Sequence, residues 1–477
     1  MFFRELYDQA LAQASYVIGC QATGEAIVID PLRDPAPYLD VARAEGLRIT
    51  HVTETHIHAD FVSGARELCA ATGAQLFLSA EGGPEWQYAF AEHDQARLLH
   101  DGDRIMVGNI QFDVLHTPGH TPEHLSFVVT DTPRGAGAMG ILTGDFVFVG
   151  DVGRPDLLER AAGISGTMEA GARTLFHSLQ RFRTLPDHLQ VWPGHGAGSA
   201  CGKALGAVPS STVGYEKLSN WGVSERDETA FVAAVLEGQP EPPRYFAAMK
   251  RMNRDGPPVL GVPPVATQMP ADHVIDGVHT STRWVLDLRP AGQFAEGHID
   301  GSLSLPYSKT FSTWVGSIIP VTDEIVLLSD NDPDAVQWAV RDLSRIGFDR
   351  IIGWADASET LTAWRAAGHA LHSIPQASVD RVLPTVADSA AAIVDVRGRT
   401  EWDAGHVRGA IHIPLGDLRQ RLAELPPTPV FVHCQSGVRS AVATSLLHRL
   451  GRTDAINVRG GFAAWRAAGL PLWGPGE

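Results

Sequence analysis

The sequence has few residues that could cross-link it. Its 477 residues contain four cysteines, Cys20, Cys69, Cys201 and Cys434, with no CxxC pair among them. A disulfide framework is therefore excluded as the main source of stability, and a reducing, cytoplasmic setting is expected. No stretch approaches the ~18 consecutive apolar residues of a membrane span, so none is expected. The first residues, MFFRELYDQALAQASYVIG, carry Glu5 and Asp8 and lack the apolar run of a secretory leader. Basic residues are outnumbered, 38 against 55 acidic ones, for a formal charge of −17. Such a surface is a poor match for a phosphate backbone or an anionic membrane, and neither is expected as a partner. What remains is an ordinary globular composition, 44% hydrophobic and 19% charged, with length for about three domains at ~150 residues each.

The first part alternates strand-like and helix-like segments. SYVIGC and EAIVIDP read as paired strands and DVARAEGL as a helix, and RITHVTETH reads as a buried strand entering a polar loop. FVSGARELCAATGA supplies a second helix, and IQFDVLHTPGH and HLSFVVTD are further strands. AMGILTGD ends on Asp145 and LQVWPGHG on His195. Proline-rich breaks at GQPEPPRYF and DGPPVLGVPPVA bracket a helical extension and place a domain boundary near 256–266. A weaker boundary is expected at HSIPQASVD. Beyond the first boundary the chain repeats itself: DLRPAGQFAEGHIDGSLSLP at 287–306 returns as DVRGRTEWDAGHVRGAIHIP at 395–414, and AWRAAG occurs at 363–368 and 464–469.

Two groups of residues carry chemistry. In the first, Thr55-His56-Ile57-His58-Ala59-Asp60 is followed by Pro118-Gly119-His120, Gly144-Asp145 and Pro193-Gly194-His195, each set at a strand end. Imidazoles and carboxylates in this order suit a divalent metal. In the second, His433-Cys434-Gln435-Ser436-Gly437-Val438-Arg439 lies between the strand PVFV and the helix AVATSLLHRLG. A cysteine at a helix N-terminus has backbone N–H groups around its sulfur, which stabilise a thiolate and any anion attached to it. Gly437 permits the tight turn, and Arg439 adds positive charge at the rim.

The order HxHxD, PGH, GD, GH resembles the metallo-β-lactamase fold, an αββα sandwich with its metals at one edge. Hydrolases of that fold usually show HxHxDH, whereas Phe61 stands at the last position here. THIHADFVSG, HTPGHTPEHLSF, LTGDFVFVGDVGRPD and PGHG more narrowly resemble the persulfide dioxygenases of the superfamily. That resemblance implies a mononuclear non-haem Fe(II) held by His56, His120 and Asp145, a two-histidine, one-carboxylate face with open positions; zinc is the alternative. It leaves His58, Asp60 and His195 to orient ligands or hydrogen-bond substrate. Arg154 is read as a substrate-carboxylate anchor or a loop brace, with an exposed arginine as the plain alternative. The stretch after His195 is similar to bacterial fusions of this dioxygenase with sulfurtransferase domains. Cys201 is therefore a candidate for the substrate channel, with a buried structural thiol as the alternative, and Cys20 and Cys69 are read as core.

The second group, with DVRxxxEWxxGHVxGAxxIP upstream, resembles a rhodanese domain whose sulfur-carrying cysteine maps onto Cys434. The C-x4-R loop suits a sulfur atom better than the longer C-x5-R loop of related phosphatases. Aligning RLGRTD with RIGFDR in the middle repeat sets Asp330 opposite Cys434, Pro333 opposite Gly437 and Ala335 opposite Arg439. A cysteine-less, inactive rhodanese-like domain is expected there.

The expected architecture is an α/β multidomain chain. Residues 1–255 form a metallo-β-lactamase-fold dioxygenase domain with a helical extension, 267–372 an inactive rhodanese-like domain, and 380–477 a catalytic one. The resemblance implies oxidation of a low-molecular-weight persulfide, of glutathione, coenzyme A or a similar thiol, by O2 to sulfite, and sulfur transfer through Cys434 to sulfite to give thiosulfate. A homo-oligomer is expected from related fusions. Two alternatives stay open: a zinc thioester hydrolase of the glyoxalase II type carrying a rhodanese unit, and a sulfane-sulfur sensor or carrier.

Overall fold

A computed structural model of the chain describes residues 1–157, 166–203, 205–387 and 391–473. Residues 388–390 and 474–477 of the expected C-terminal domain, and 158–165 and 204 of the N-terminal one, lie outside the described residues. Two compact units are present: Met1–Pro263 with Arg345–Gly347, and Pro264–Ser344 with Phe348–Glu477. The first boundary agrees with the proline-rich break at 256–266. The segment HSIPQASVD lies within the second unit, where the chain passes between its two sheets.

The first unit contains two six-stranded sheets. One runs in chain order through β1 (Phe2–Asp8), β2 (Gln13–Cys20), β3 (Glu25–Ile29), β4 (Arg48–Thr53), β5 (Gln75–Ser79) and β6 (Arg97–Leu99). The other runs from β7 (Arg104–Val107) through β8 (Ile110–His116), β9 (Leu125–Asp131), β10 (Gly140–Gly144) and β11 (Gln190–Pro193) to β12 (Ser211–Thr212). Strand β1, unforeseen in the sequence, pairs antiparallel with β2 along its whole length.

Alternation explains why β2 is buried on both faces. Tyr16 and Ile18 enter a core between the sheets with Phe112, Phe127 and Trp192, while Val17 turns outward beneath α1 (Ala36–Ala44) and α2 (Ala65–Thr72). On the far side of the second sheet, α3 (Met168–Arg183) lays down Ala172, Leu175, Phe176, Leu179 and Phe182, a helical i, i+3, i+4 stripe. The result is the expected helix–sheet–sheet–helix sandwich. Loops leaving β4, β8, β10 and β11 carry the histidine and carboxylate motifs, because strand ends are where a packed sandwich frees side chains from core packing. The helical extension is α4 (Phe246–Asp255).

The second unit holds two parallel sheets of similar plan. One orders β14 (Leu303–Ser304), β13 (Arg283–Asp287), β15 (Glu324–Ser329) and β16 (Ile351–Asp356). The other orders β17 (Gln376–Ala377), β21 (Ala455–Val458), β20 (Val430–His433), β18 (Ala392–Asp395) and β19 (Ile411–His412). The repeated Asp-x-Arg motif builds the same brace twice. Arg289 forks onto Asp287 and donates to the Gly297 carbonyl at 3.0 Å, and Arg397 forks onto Asp395 and donates to the Gly405 carbonyl at 2.9 Å.

The two repeats do not separate, because side chains of the second satisfy backbone of the first. Arg449 donates to the carbonyls of Val278, Gly301 and Arg283 and lies 4.3 Å from the Trp284 ring centroid. Ser445 Oγ accepts the Ser304 N–H. An arginine stacked on an indole with its N–H groups filled joins the repeats through polar and apolar contact together.

Candidate metal centre and sulfur cradle

The metal centre begins with an aspartate in an unfavourable backbone conformation. Asp30, just after β3, has φ +51°. Its carboxylate accepts the Thr55 N–H at 2.6 Å and the Thr55 hydroxyl at 2.9 Å. That hydroxyl, having donated, accepts from His56 Nδ1 at 2.9 Å. His56 is thereby fixed in the tautomer whose Nε2 lone pair is free. The same logic holds at His120, whose Nδ1 donates to the Arg154 carbonyl at 3.0 Å, since a carbonyl can only accept. Burial holds both imidazoles below the usual histidine range, so they are neutral ligands.

Asp145 completes the set. Its Oδ1 accepts from His195 Nδ1 at 2.8 Å, while its Oδ2 is buried without any hydrogen-bond partner. That orphan oxygen lies 3.5 Å from His120 Nε2 and 4.0 Å from His56 Nε2. Burial opposes its charge, but the charge and hydrogen bond of His195 keep the carboxyl well below the ordinary carboxylate range. A buried anionic oxygen facing two imidazole lone pairs is unfavourable unless a cation completes it. His56, His120 and Asp145 therefore fit a divalent metal.

The surrounding groups hold this geometry. His195 donates through Nε2 to Asp60 at 2.8 Å as well, and the two carboxylates outweigh burial and push it up to about 10. His58 lies against the His56 ring, bonds Asp30 through Nε2 at 3.1 Å, and is pushed up to about 9, burial being outweighed by Asp30. Phe61 is fully buried with its ring 4.4 Å from that of His58. Cys201 is 2% exposed, and burial with Asp145 and Asp60 pushes its thiol well above the usual range. Of the other cysteines in this unit, Cys20 is buried between the sheets and Cys69 lies half-buried on α2, its thiol pushed up by burial to about 12.

Arg154 requires a correction. It is neither exposed nor available to a substrate carboxylate. The guanidinium is fully buried, forks onto Asp156 at 2.8 Å through two nitrogens, and donates to the carbonyls of Ala200 and Pro240. With its donors engaged it braces three loops, and its own carbonyl orients His120.

Several working residues went unread in the sequence. His124 Nε2 accepts the Asp145 N–H at 3.1 Å, and its Nδ1 bonds Thr117 Oγ1 at 2.9 Å. Gly144, at φ +48°, leaves space that a Cβ would take: it would lie 2.6 Å from Thr55 Oγ1 and 2.8 Å from His124 Nε2. Glu123 accepts the Ile57 N–H, and Asn253 on α4 donates to the carbonyls of His58 and Phe61. Asp30 did carry a signal, a carboxylate ending a strand just as Asp145 does. Asn253 carried none.

The second group lies in the other unit. Cys434 follows β20 and is buried, and its Sγ accepts the Gly437 N–H at 3.2 Å. Gly437, at φ +101°, opens the helix α6 (Val438–Arg449). Arg439 is committed to Glu401 through two contacts, at 2.6 and 3.1 Å, so its charge is shared rather than free at the rim.

The middle loop corrects the sequence alignment by one residue. Asp287 pairs across its sheet with Leu328, and Asp395 with His433. The register therefore places Ser329, not Asp330, opposite Cys434, Asp332 opposite Gly437 and Asp334 opposite Arg439. The helix α5 (Pro333–Arg345) is one residue longer than α6, which shifts an alignment made on the segment after it. The acidic, thiol-free character of the loop stands.

Comparison with known proteins agrees with this division. Residues 9–195 match the family model described as the metallo-beta-lactamase superfamily, and residues 378–468 match that of the rhodanese-like domain. A crystal structure titled metallo-beta-lactamase from Staphylococcus aureus subsp. aureus COL is 44% identical. It covers 74% of this chain and 99% of its own, at a TM-score of 0.68. The human protein named mitochondrial persulfide dioxygenase ETHE1 is 29% identical over 41% of this chain and 68% of its own. A hydroxyacylglutathione hydrolase from Rhodospirillum rubrum is 32% identical over 38% of this chain, and this chain spans only 60% of it. The chain belongs to the metallo-beta-lactamase superfamily and carries a rhodanese-like domain in its C-terminal part.

Proposed function

We propose that the chain oxidises a low-molecular-weight persulfide to sulfite with O2 in its first unit and passes sulfane sulfur through Cys434 to sulfite in its second. The observation that carries this reading is the presence, in one chain, of a buried two-histidine, one-carboxylate cluster and a cysteine cradled at a helix N-terminus. Both suit sulfur chemistry. The similarity to a protein named persulfide dioxygenase supports it.

His56, His120 and Asp145 would hold Fe(II), which supplies the redox chemistry with O2 and leaves positions open for substrate. The remaining residues keep the ligands in place. Asp30 and Thr55 fix the His56 tautomer, the Arg154 carbonyl fixes His120, and His195 and His124 hold the side chain and backbone of Asp145. The net reaction is R–S–SH + O2 + H2O giving R–SH, sulfite and two protons.

At the second site the Cys434 thiolate attacks the outer sulfur of a persulfide, the S–S bond breaks, and R–S⁻ leaves. Sulfite then attacks the outer sulfur of Cys434–S–SH, forming thiosulfate and returning the thiolate with loss of a proton. Joining both activities on one chain raises the effective concentration of sulfite at Cys434. The middle repeat acts as an inactive rhodanese-like domain, with Ser329 in the cysteine's register.

The similarity to a hydroxyacylglutathione hydrolase favours a second reading, a zinc thioester hydrolase. Phe61 counts against it, since an aromatic ring replaces a ligand that such hydrolases place there. The test is oxygen uptake by the iron-loaded protein with glutathione or coenzyme A persulfide, with sulfite and thiosulfate assayed together. Uptake with thiosulfate as the main product supports the coupled reading. Thioester cleavage by the zinc form, without oxygen uptake by the iron form, overturns it.

A further inference from the structure

We propose that Glu401 sets the donor preference of the Cys434 site: by holding Arg439 it denies the doubly charged thiosulfate a guanidinium partner, so the site loads from a persulfide and releases thiosulfate as product. The proposal deepens the sulfur-transfer reading of the second unit and rests on it.

The charges around the sulfur cancel in pairs. Arg397 forks onto Asp395, at 3.0 and 2.7 Å, and donates to the Gly405 carbonyl. Arg439 stands in the first turn of α6, within reach of charge on Cys434. Both of its terminal nitrogens donate to Glu401, at 2.6 and 3.1 Å. Glu401 is fixed in turn, since its Oε2 also accepts the Gly398 N–H at 3.1 Å. Burial opposes the charge of Glu401, but the Arg439 fork holds its carboxyl below the ordinary range. The Arg439 side chain is only 25% exposed, so the pair is partly shielded from water.

The nitrogens that would fork onto a dianion are therefore occupied by a carboxylate. A persulfide carries at most one charge at its reacting sulfur and loses less by this. Such discrimination is a difference of two affinities, here produced by withholding a contact from one ligand. Sulfite is disfavoured by the same pair, which a raised effective concentration of it offsets. The internal repeat ties the pair to the reactive loop. Both repeats keep the Asp-x-Arg brace, but the cysteine-less one has Gln293 at the place of Glu401 in the repeated motif and Asp334 in the register of Arg439.

Anaerobic transfer from thiosulfate to cyanide by the full-length protein tests this. The Cys434 thiolate attacks the outer sulfur of thiosulfate, the S–S bond breaks and sulfite leaves with the electron pair. Cyanide then takes that sulfur as thiocyanate, and the thiolate returns. Glu401→Gln should lower the KM for thiosulfate about 10-fold, the scale of a charge-assisted hydrogen bond. Glu401→Ala, which also frees Arg439, should act in the same direction. Adding Arg439→Met to Glu401→Gln should cancel the gain, which shows that it runs through the guanidinium. A purely structural role would lower kcat and leave the KM unchanged or raised. Loading of Cys434 by glutathione persulfide, read by mass spectrometry, reports on the site without thiosulfate. A thiosulfate KM that does not fall in either single variant, a fall that survives in the double variant, or loss of persulfide loading in both single variants overturns the role of Glu401. No loading of wild-type Cys434 by either donor overturns the sulfur-transfer reading itself, and the proposal with it.

Discussion

His195 donates from Nδ1 to Asp145 Oδ1 at 2.8 Å, and this single bond leaves Asp145 Oδ2 unpaired and turned toward His120 and His56. One carboxylate is thus divided between a structural oxygen and a metal-facing one. A buried carboxylate is stabilised when one oxygen is bonded and the other meets a cation.

His56→Ala and His120→Ala should each abolish tight metal binding and oxygen uptake while leaving sulfur transfer by Cys434 intact. Thr55→Val should act more gently, because it removes the acceptor of His56 Nδ1–H and keeps the ligand. Loss of such a partner costs about 10–100-fold in metal affinity. Competition with a chelator measures both effects.

Cys434→Ser should remove thiosulfate formation and spare sulfite production, as read by product analysis on persulfide. Loss of both products would show that the two chemistries are not divided between the units. Asp330→Ala should leave sulfur transfer near wild type. Ser329→Cys, which restores a thiol at the right register, should fail to carry sulfane sulfur, because its loop carries the acidic residues Asp330, Asp332 and Asp334.

Arg154→Ala should lower stability by about 3–5 kcal/mol, the cost of removing one partner of a buried ion pair. Asp156 would lose the guanidinium fork and the Ala200 and Pro240 carbonyls their donor. Denaturant unfolding of metal-free protein measures it. A fully stable variant with only a raised KM would restore the substrate-anchor role.

The metal-free protein should lose stability as pH rises above neutrality. His195 is raised from 6.5 to about 10 and His58 to about 9 in the folded state. A group with a raised folded value stabilises fully below its unfolded value, and that contribution disappears as pH climbs through the folded one. The loss should therefore fall between about pH 6.5 and 10. Thermal melts across that range should show a falling Tm, with a flatter slope in His195→Gln.

The amino-acid order by itself determined the identities of the reactive groups and their place at strand ends. Polar ligand types gathered in short motifs stand out against apolar strands whose period is set by backbone geometry. The strand-to-helix setting of Cys434 was legible for the same reason: it is local. Tertiary structure alone decided how distant segments meet. Only folding shows that the Arg154 side chain braces loops while its carbonyl orients His120, or that Asp30 works through Thr55 on His56. The same holds for Cys201 beside Asp60 and His195, and for Ser329 in the register of Cys434. Which donor meets which acceptor depends on sheet register and loop path, and a one-residue difference in helix length is enough to displace an alignment.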